Sequence, residues 1–276
     1  MPRTPTRVLA ASPRTAGTRK AVLTRTALLT LTPLSALGLL TLTACVPSTP
    51  TAQSGAHPAA SSKHSPTAPP APRVLTQAQA QAALVTANDL GDPWTPTQGA
   101  ATWRDGVLKA TTESPDCRRL LDALYADDLF GASGGARAVV GLDDAMDQAQ
   151  LRYQVLALNA ADVDRTLAWL RSLPGTCGTF TAVTAHGAVQ NVALREADLP
   201  PVGDAREGLR VTLRGQTPDG DPTVLTLDVA AVRVGGDTIA VTLGGMGDVS
   251  ADATRAAVQT GVRRLSEIRR SGRVEV

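Results

Sequence analysis

Residues 209–243, "LRVTLRGQTPDGDPTVLTLDVAAVRVGGDTIAVTL", decide the fold. Leu209, Val211 and Leu213 alternate with Arg210, Thr212 and Arg214, so the first segment is a strand with one apolar and one wet face. The turn residues "GQTPDGDP" break it. A second, longer strand follows around Leu225, Leu227 and Val229, and Gly235-Gly236-Asp237 makes a tight hairpin into a third around Ile239, Val241 and Leu243. Three strands joined by short turns are antiparallel. A parallel arrangement would need crossover connections between them.

Helical patterns flank this meander. Ser250 caps a final helix in which Val258, Val262, Leu265 and Ile268 recur on one face. Upstream, Thr76-Gln77-Ala78-Gln79 has capping-box spacing and opens a helix to about Thr86, which Asn88 to Pro93 ends. Ser114-Pro115 supplies an N-cap and an N1 proline. Behind it Cys117, Leu120, Leu121 and Leu124 share one face. "ARAVVGL" (136–142) and "QLRYQVLAL" (150–158) read as strands. Val163, Leu167 and Leu170 mark another helix, with Pro174-Gly175 as its stop and Cys177 opening the strand "CGTFTAVT". The expected class is α+β: an antiparallel β-sheet with flanking helices, braced by one disulfide.

The amino-terminal third is of another kind. Residues 1–26 are basic and polar, and residues 27–42, "ALLTLTPLSALGLLTL", are mostly apolar. As a helix that run would measure ~24 Å, short of a ~30 Å hydrocarbon core, and its basic leader makes it an export signal. Leu42-Thr43-Ala44-Cys45 then resembles a bacterial lipobox. The pathway needs a nucleophilic sulfur to take a diacylglyceryl group and small residues before it for the signal peptidase. Two or three acyl chains, at ~0.8 kcal/mol per buried methylene, anchor firmly. Residues 1–44 therefore read as a lipoprotein signal peptide and Cys45 as the lipidation point. Val46 to Arg73 is mostly Pro, Ser, Thr, Ala and Gly, with no periodic apolar pattern. Residues 45–73 read as a lipidated cysteine on a disordered tether spanning roughly 30 Å. Residues 74–276 are the folded domain, placed outside the cell membrane and held to it by the lipid.

Composition removes several functions. Residues 74–276 hold 19 basic and 25 acidic side chains, a net of −6, a poor match for nucleic acid. His186 is the domain's one histidine, and no Gly-x-Ser-x-Gly elbow accompanies it. One histidine and two distant cysteines match no zinc spacing. Asp143, Asp144 and Asp147, and separately Asp219 and Asp221, lack the ligand order of a calcium loop and read as solvated turns. "GASGGARAV" and "GGMGD" lack the Lys-Ser/Thr of a phosphate loop and read as a strand entrance and a pre-helix turn. Arg263, Arg264, Arg269, Arg270 and Arg273 read as complements to a helix dipole. No catalytic residue, metal ligand or cofactor is expected. Export leaves Cys117 and Cys177 as two thiols in an oxidising compartment, and they are expected to bond.

"LVTANDLGDPW", "SPDCRRLLDAL", the helix ending in "LPGTC" and the closing meander and helix resemble the PknH-like extracytoplasmic sensor domains. These domains occur on receptor kinases and on lipoproteins of high-GC Gram-positive bacteria. The resemblance covers residues 75–270 and implies a disulfide-braced antiparallel sheet, a ligand-binding cleft and no catalytic residues. The expected function is non-catalytic binding of a small ligand or envelope component by a lipid-anchored domain. The competing readings are a cell-wall hydrolase using acidic residues and a purely structural envelope lipoprotein.

Overall fold

Among the described residues nine strands form one antiparallel sheet in the order β1-β3-β4-β9-β8-β7-β6-β5-β2. They are β1 (Trp94–Pro96), β2 (Ala110–Thr111), β3 (Ala136–Asp144), β4 (Ala149–Leu156), β5 (Thr179–Thr184), β6 (Val189–Glu196), β7 (Ala205–Gln216), β8 (Pro222–Val234) and β9 (Asp237–Met246). Among the described residues five α-helices accompany them, α1 (Gln77–Ala82), α2 (Ala87–Leu90), α3 (Pro115–Ala126), α4 (Ala160–Cys177) and α5 (Ala251–Val274), with one π-helical turn at Arg104–Leu108. The structure, a computed structural model, describes residues 75–131, 136–217 and 219–274. The signal peptide, Cys45 with its lipobox, and the tether to Arg73 lie outside the described residues, as does most of the "GASGG" run. No helix among the described residues is long and apolar enough to cross a membrane.

The expected α+β class is what the chain adopts. Strand alternation distributes side chains to two cores. Leu225, Leu227 and Val229 of β8 join Val211 and Leu213 of β7 and Val192 and Leu194 of β6 under α3 and α4. Their neighbours Ala230 and Val232 point the other way, where Leu151, Tyr153, Ile239 and Val241 pack beneath α5, with Ala80 and Ala83 beside them. β8 is buried on both sides from Leu225 to Val232, and β9 beside it from Asp237 to Gly245, because these two central strands lie between the two cores. The β8 sequence is accordingly a near-continuous apolar run and not an alternation.

Cys117 on α3 and Cys177 are joined by a disulfide, each 1% exposed. Cys177 does not open a strand, however. It is the last residue of α4, which runs through Pro174, and β5 starts at Thr179. Proline removes one N–H from the ladder, but Leu173 and Cys177 stay fully packed and hold the last turn in place. The first helix is also shorter than its pattern. It stops at Ala82, and Thr86 starts a second box, its N–H and hydroxyl both donating to Asp89 Oδ2 at 2.6 and 2.7 Å.

The arginines of α5 are tie points and not only dipole complements. Arg264 donates to Asp89 Oδ1 at 2.7 Å and to the Leu84 carbonyl, fastening α5 to the α1–α2 connection. Arg269 grips Asp237 at the β8–β9 hairpin, its Nε at 2.6 Å from Oδ2. Gly244, Gly245 and Met246 belong to β9, so of "GGMGD" only Gly247 and Asp248 form the turn before α5.

Candidate binding face

The two helical layers do not cover the sheet equally. α5 packs on β8 and β9 and α1 on β3, whereas α4 lies on β6 and β7 from the opposite side. Among the described residues the α5 side of β5, β6 and the second half of β7 is consequently uncovered, while Leu199 lies over Gly208 in the first half of β7. Thr181, Val183, Val189, Asn191, Arg195 and Arg214 alternate along these strands and are all exposed, while Ala182, Val192, Leu194, Val211 and Leu213 between them are buried. Val183 and Val189, directly paired across the strands, are 41% and 59% exposed. They form a small apolar pair on a face otherwise lined by polar and cationic side chains.

Three adjoining hollows run along this face, and Arg214 lines all of them. The best enclosed of these occupies about 490 Å³ between Ala193, Arg195, Arg210, Thr212 and Thr226, with Gly247 and Asp248 as its rim. The floor residues are small because they sit at the base of a trough. Its wall is the β9–α5 turn. Gly247 supplies the turn with a φ of +89°, its N–H donates to the Val224 carbonyl at 2.8 Å, and Thr226 Oγ1 donates to its carbonyl at 2.6 Å. The other two hollows continue over Asn191 towards Thr181 and towards the β5–β6 turn that carries His186.

Arg210 is the fixed point of the trough. The register places Arg195, Arg210 and Asp228 side by side across β6, β7 and β8. Arg210 donates from Nε to Asp228 Oδ1 at 2.6 Å and from Nη2 to Oδ2 at 2.9 Å, a forked pair. Nη2 also donates to the Val249 carbonyl at 2.6 Å, and Nη1 reaches Asp248 at 3.3 Å. The Arg210 side chain is 13% exposed and that of Asp228 2%. The hydrogen bonds with Asp228 hold the guanidinium above its ordinary pKa, against the cost of burial. The sequence pattern put Arg210 on a wet face. It is on that face, but folded down under the α5 turn.

Other expected groups fall elsewhere. His186 is exposed in the β5–β6 turn, at the far end of the trough from Arg210. Asp144 is buried, accepting from the Met146 and Asp147 N–H groups at 2.9 and 3.2 Å, so it shapes the β3–β4 turn instead of being solvated. Asp143 accepts from Gln98 N–H at 3.1 Å and from Gln150 at 2.9 Å. Asp127, at a left-handed C-cap of α3, is paired with Arg104 at 2.9 Å, and Arg104 also caps the Leu124 and Tyr125 carbonyls. Burial pushes the Asp127 carboxyl up, although Arg104 and Arg152 pull it down. Among the described residues no cluster of three or more His, Cys, Asp or Glu is arranged to hold a metal ion.

No family model matches the sequence, and no curated protein matches it. Among solved structures the chain is similar to the extracellular domain of PknH from Mycobacterium tuberculosis, with 15% identity and a TM-score of 0.44, over 71% of this chain and 99% of that one. It is also similar to protein Ms6760 from Mycobacterium smegmatis, with 14% identity and a TM-score of 0.25, over 47% of this chain and 90% of that one.

Proposed function

We propose that this chain is a lipid-anchored, extracytoplasmic and non-catalytic binding protein whose working surface is the open face of β5–β7. The open face itself carries the reading: among the described residues a sheet with helices on both sides leaves the α5 side of β5, β6 and the end of β7 uncovered, hollowed, and lined by small and cationic side chains. The lipobox at Leu42 to Cys45 supports the anchor, and the Cys117–Cys177 bond fits an oxidising compartment. The Val46–Arg73 tether supplies reach, so that the face works away from the lipid surface.

Thiol labelling tests this directly. With Cys45 acylated and Cys117 bonded to Cys177, Asn191→Cys adds the one free thiol, at the centre of the trough. A membrane-impermeant maleimide is expected to label it in intact cells, more slowly than in the purified chain because envelope material occupies the face. Ala161→Cys, exposed on α4, is expected to label at one rate in both. Labelling of Ala161→Cys only after lysis would refute export, and equal rates for Asn191→Cys in cells and in solution would refute occupancy of the face.

A further inference from the structure

The charges on the open face are arranged in a way the fold does not need. Arg195 and Arg210 are direct cross-strand partners, and like charges placed opposite each other destabilise a sheet. Asp228, the next residue in that row, neutralises Arg210. Arg195 is left uncompensated. So is Arg214, four residues further along β7 on the same face, whose cross-strand partners are Asn191 and Val224. Both arginines are exposed, and neither makes a side-chain hydrogen bond or ion pair among the described residues. The domain as a whole is acidic, with 19 basic against 25 acidic residues from 74 to 276, yet this trough carries two spare positive charges. The acid on its rim, Asp248, already faces Arg210.

Spacing narrows the ligand. Four residues of strand put Arg214 about 13 Å from the Arg195–Arg210 row. Between them the floor is Ala193, Thr212 and Thr226, which leaves room for a chain to lie along the strands. A single small anion would contact one guanidinium and leave the other spare. From this geometry we infer that the trough binds a linear polyanion, a polymer with phosphoryl or carboxylate groups repeated along its length, with one group at Arg195 and another at Arg214. Arg210, locked by Asp228, fixes the backbone beneath the first contact. The inference rests on the open face being the binding surface.

The lipidated full-length chain in neutral detergent micelles is titrated with two probes, inorganic polyphosphate of about fifteen units and poly-L-glutamate of similar length. Inorganic phosphate at matched ionic strength serves as the single-anion control. At least one polymer is expected to bind, weakening as salt rises. Arg195→Gln with Arg214→Gln is expected to weaken it at least tenfold at a melting temperature no lower than that of the unsubstituted chain. Arg165→Gln, on the outer side of α4, is expected to leave it unaltered. Absence of binding by both polymers, equal binding by the double variant, or equal binding by inorganic phosphate would overturn the inference. Phosphatidylglycerol added to the micelles is expected not to displace the polymer, and displacement would assign the arginines to lipid headgroups instead. Protection of Asn191→Cys in cells without polymer binding would keep the binding face and remove the polyanion.

Discussion

Arg210 and Asp228 are a buried, forked ion pair holding the β9–α5 turn against β7, and so the wall of the trough against its floor. Removing one partner leaves the other charged and desolvated, which typically costs 3–5 kcal/mol. Arg210→Met is therefore expected to destabilise the domain by about that amount, and Arg210→Met with Asp228→Leu to recover most of it. Denaturant midpoints of the two variants check this; a double variant no more stable than the single one would contradict it. At this scale the sequence is legible in part. Cys117 declares its helix face, and the Leu209–Leu213 alternation declares its strand. The fate of Arg210 depends on which layer lies above its strand, which alternation does not encode. The single acid inside "LTLDVAAV" was the available signal, since a carboxylate amid a buried run needs a cationic partner.

Among the elements, α3 and α4 share the bond that closes the core on the side away from the trough. Cys117 and Cys177 are separated by 60 residues, and in the chain-entropy model a loop of that length is worth ~4 kcal/mol. Cys117→Ser with Cys177→Ser is expected to lower the melting temperature by on the order of 10 °C for a domain of this size. A loss of a degree or two, with the unsubstituted chain showing free thiols, would contradict a bracing role. The helix boundaries show where local signals mislead. Pro174 looks like a stop, but Leu173 and Cys177 anchor the turn around it. Thr86 looks like the tail of one helix, but its contacts with Asp89 begin another. The edge strands β1 and β2, of three and two residues, are too short to show a period and exist only because β3 and β5 offer them partners.

For the whole molecule, one sheet serves two purposes. The strands β3, β4, β9 and β8 lie under α5 and α1 as stable mass, while β7, β6 and β5 carry helices on one side and a bare, arginine-lined trough on the other. The meander was legible because antiparallel strands with tight turns repeat their signal three times in thirty-five residues. The trough was not, because an open face is a property of what fails to cover it. Amide hydrogen exchange maps occupancy over the described strands without choosing a site in advance. The chain, compared with and without a hydrolysate of cell envelope, is predicted to gain protection along β5, β6 and β7 and at the Gly247–Asp248 rim, with α1, α3 and α5 unchanged. Protection confined to the helical layers, with β5–β7 exchanging as before, would contradict the account.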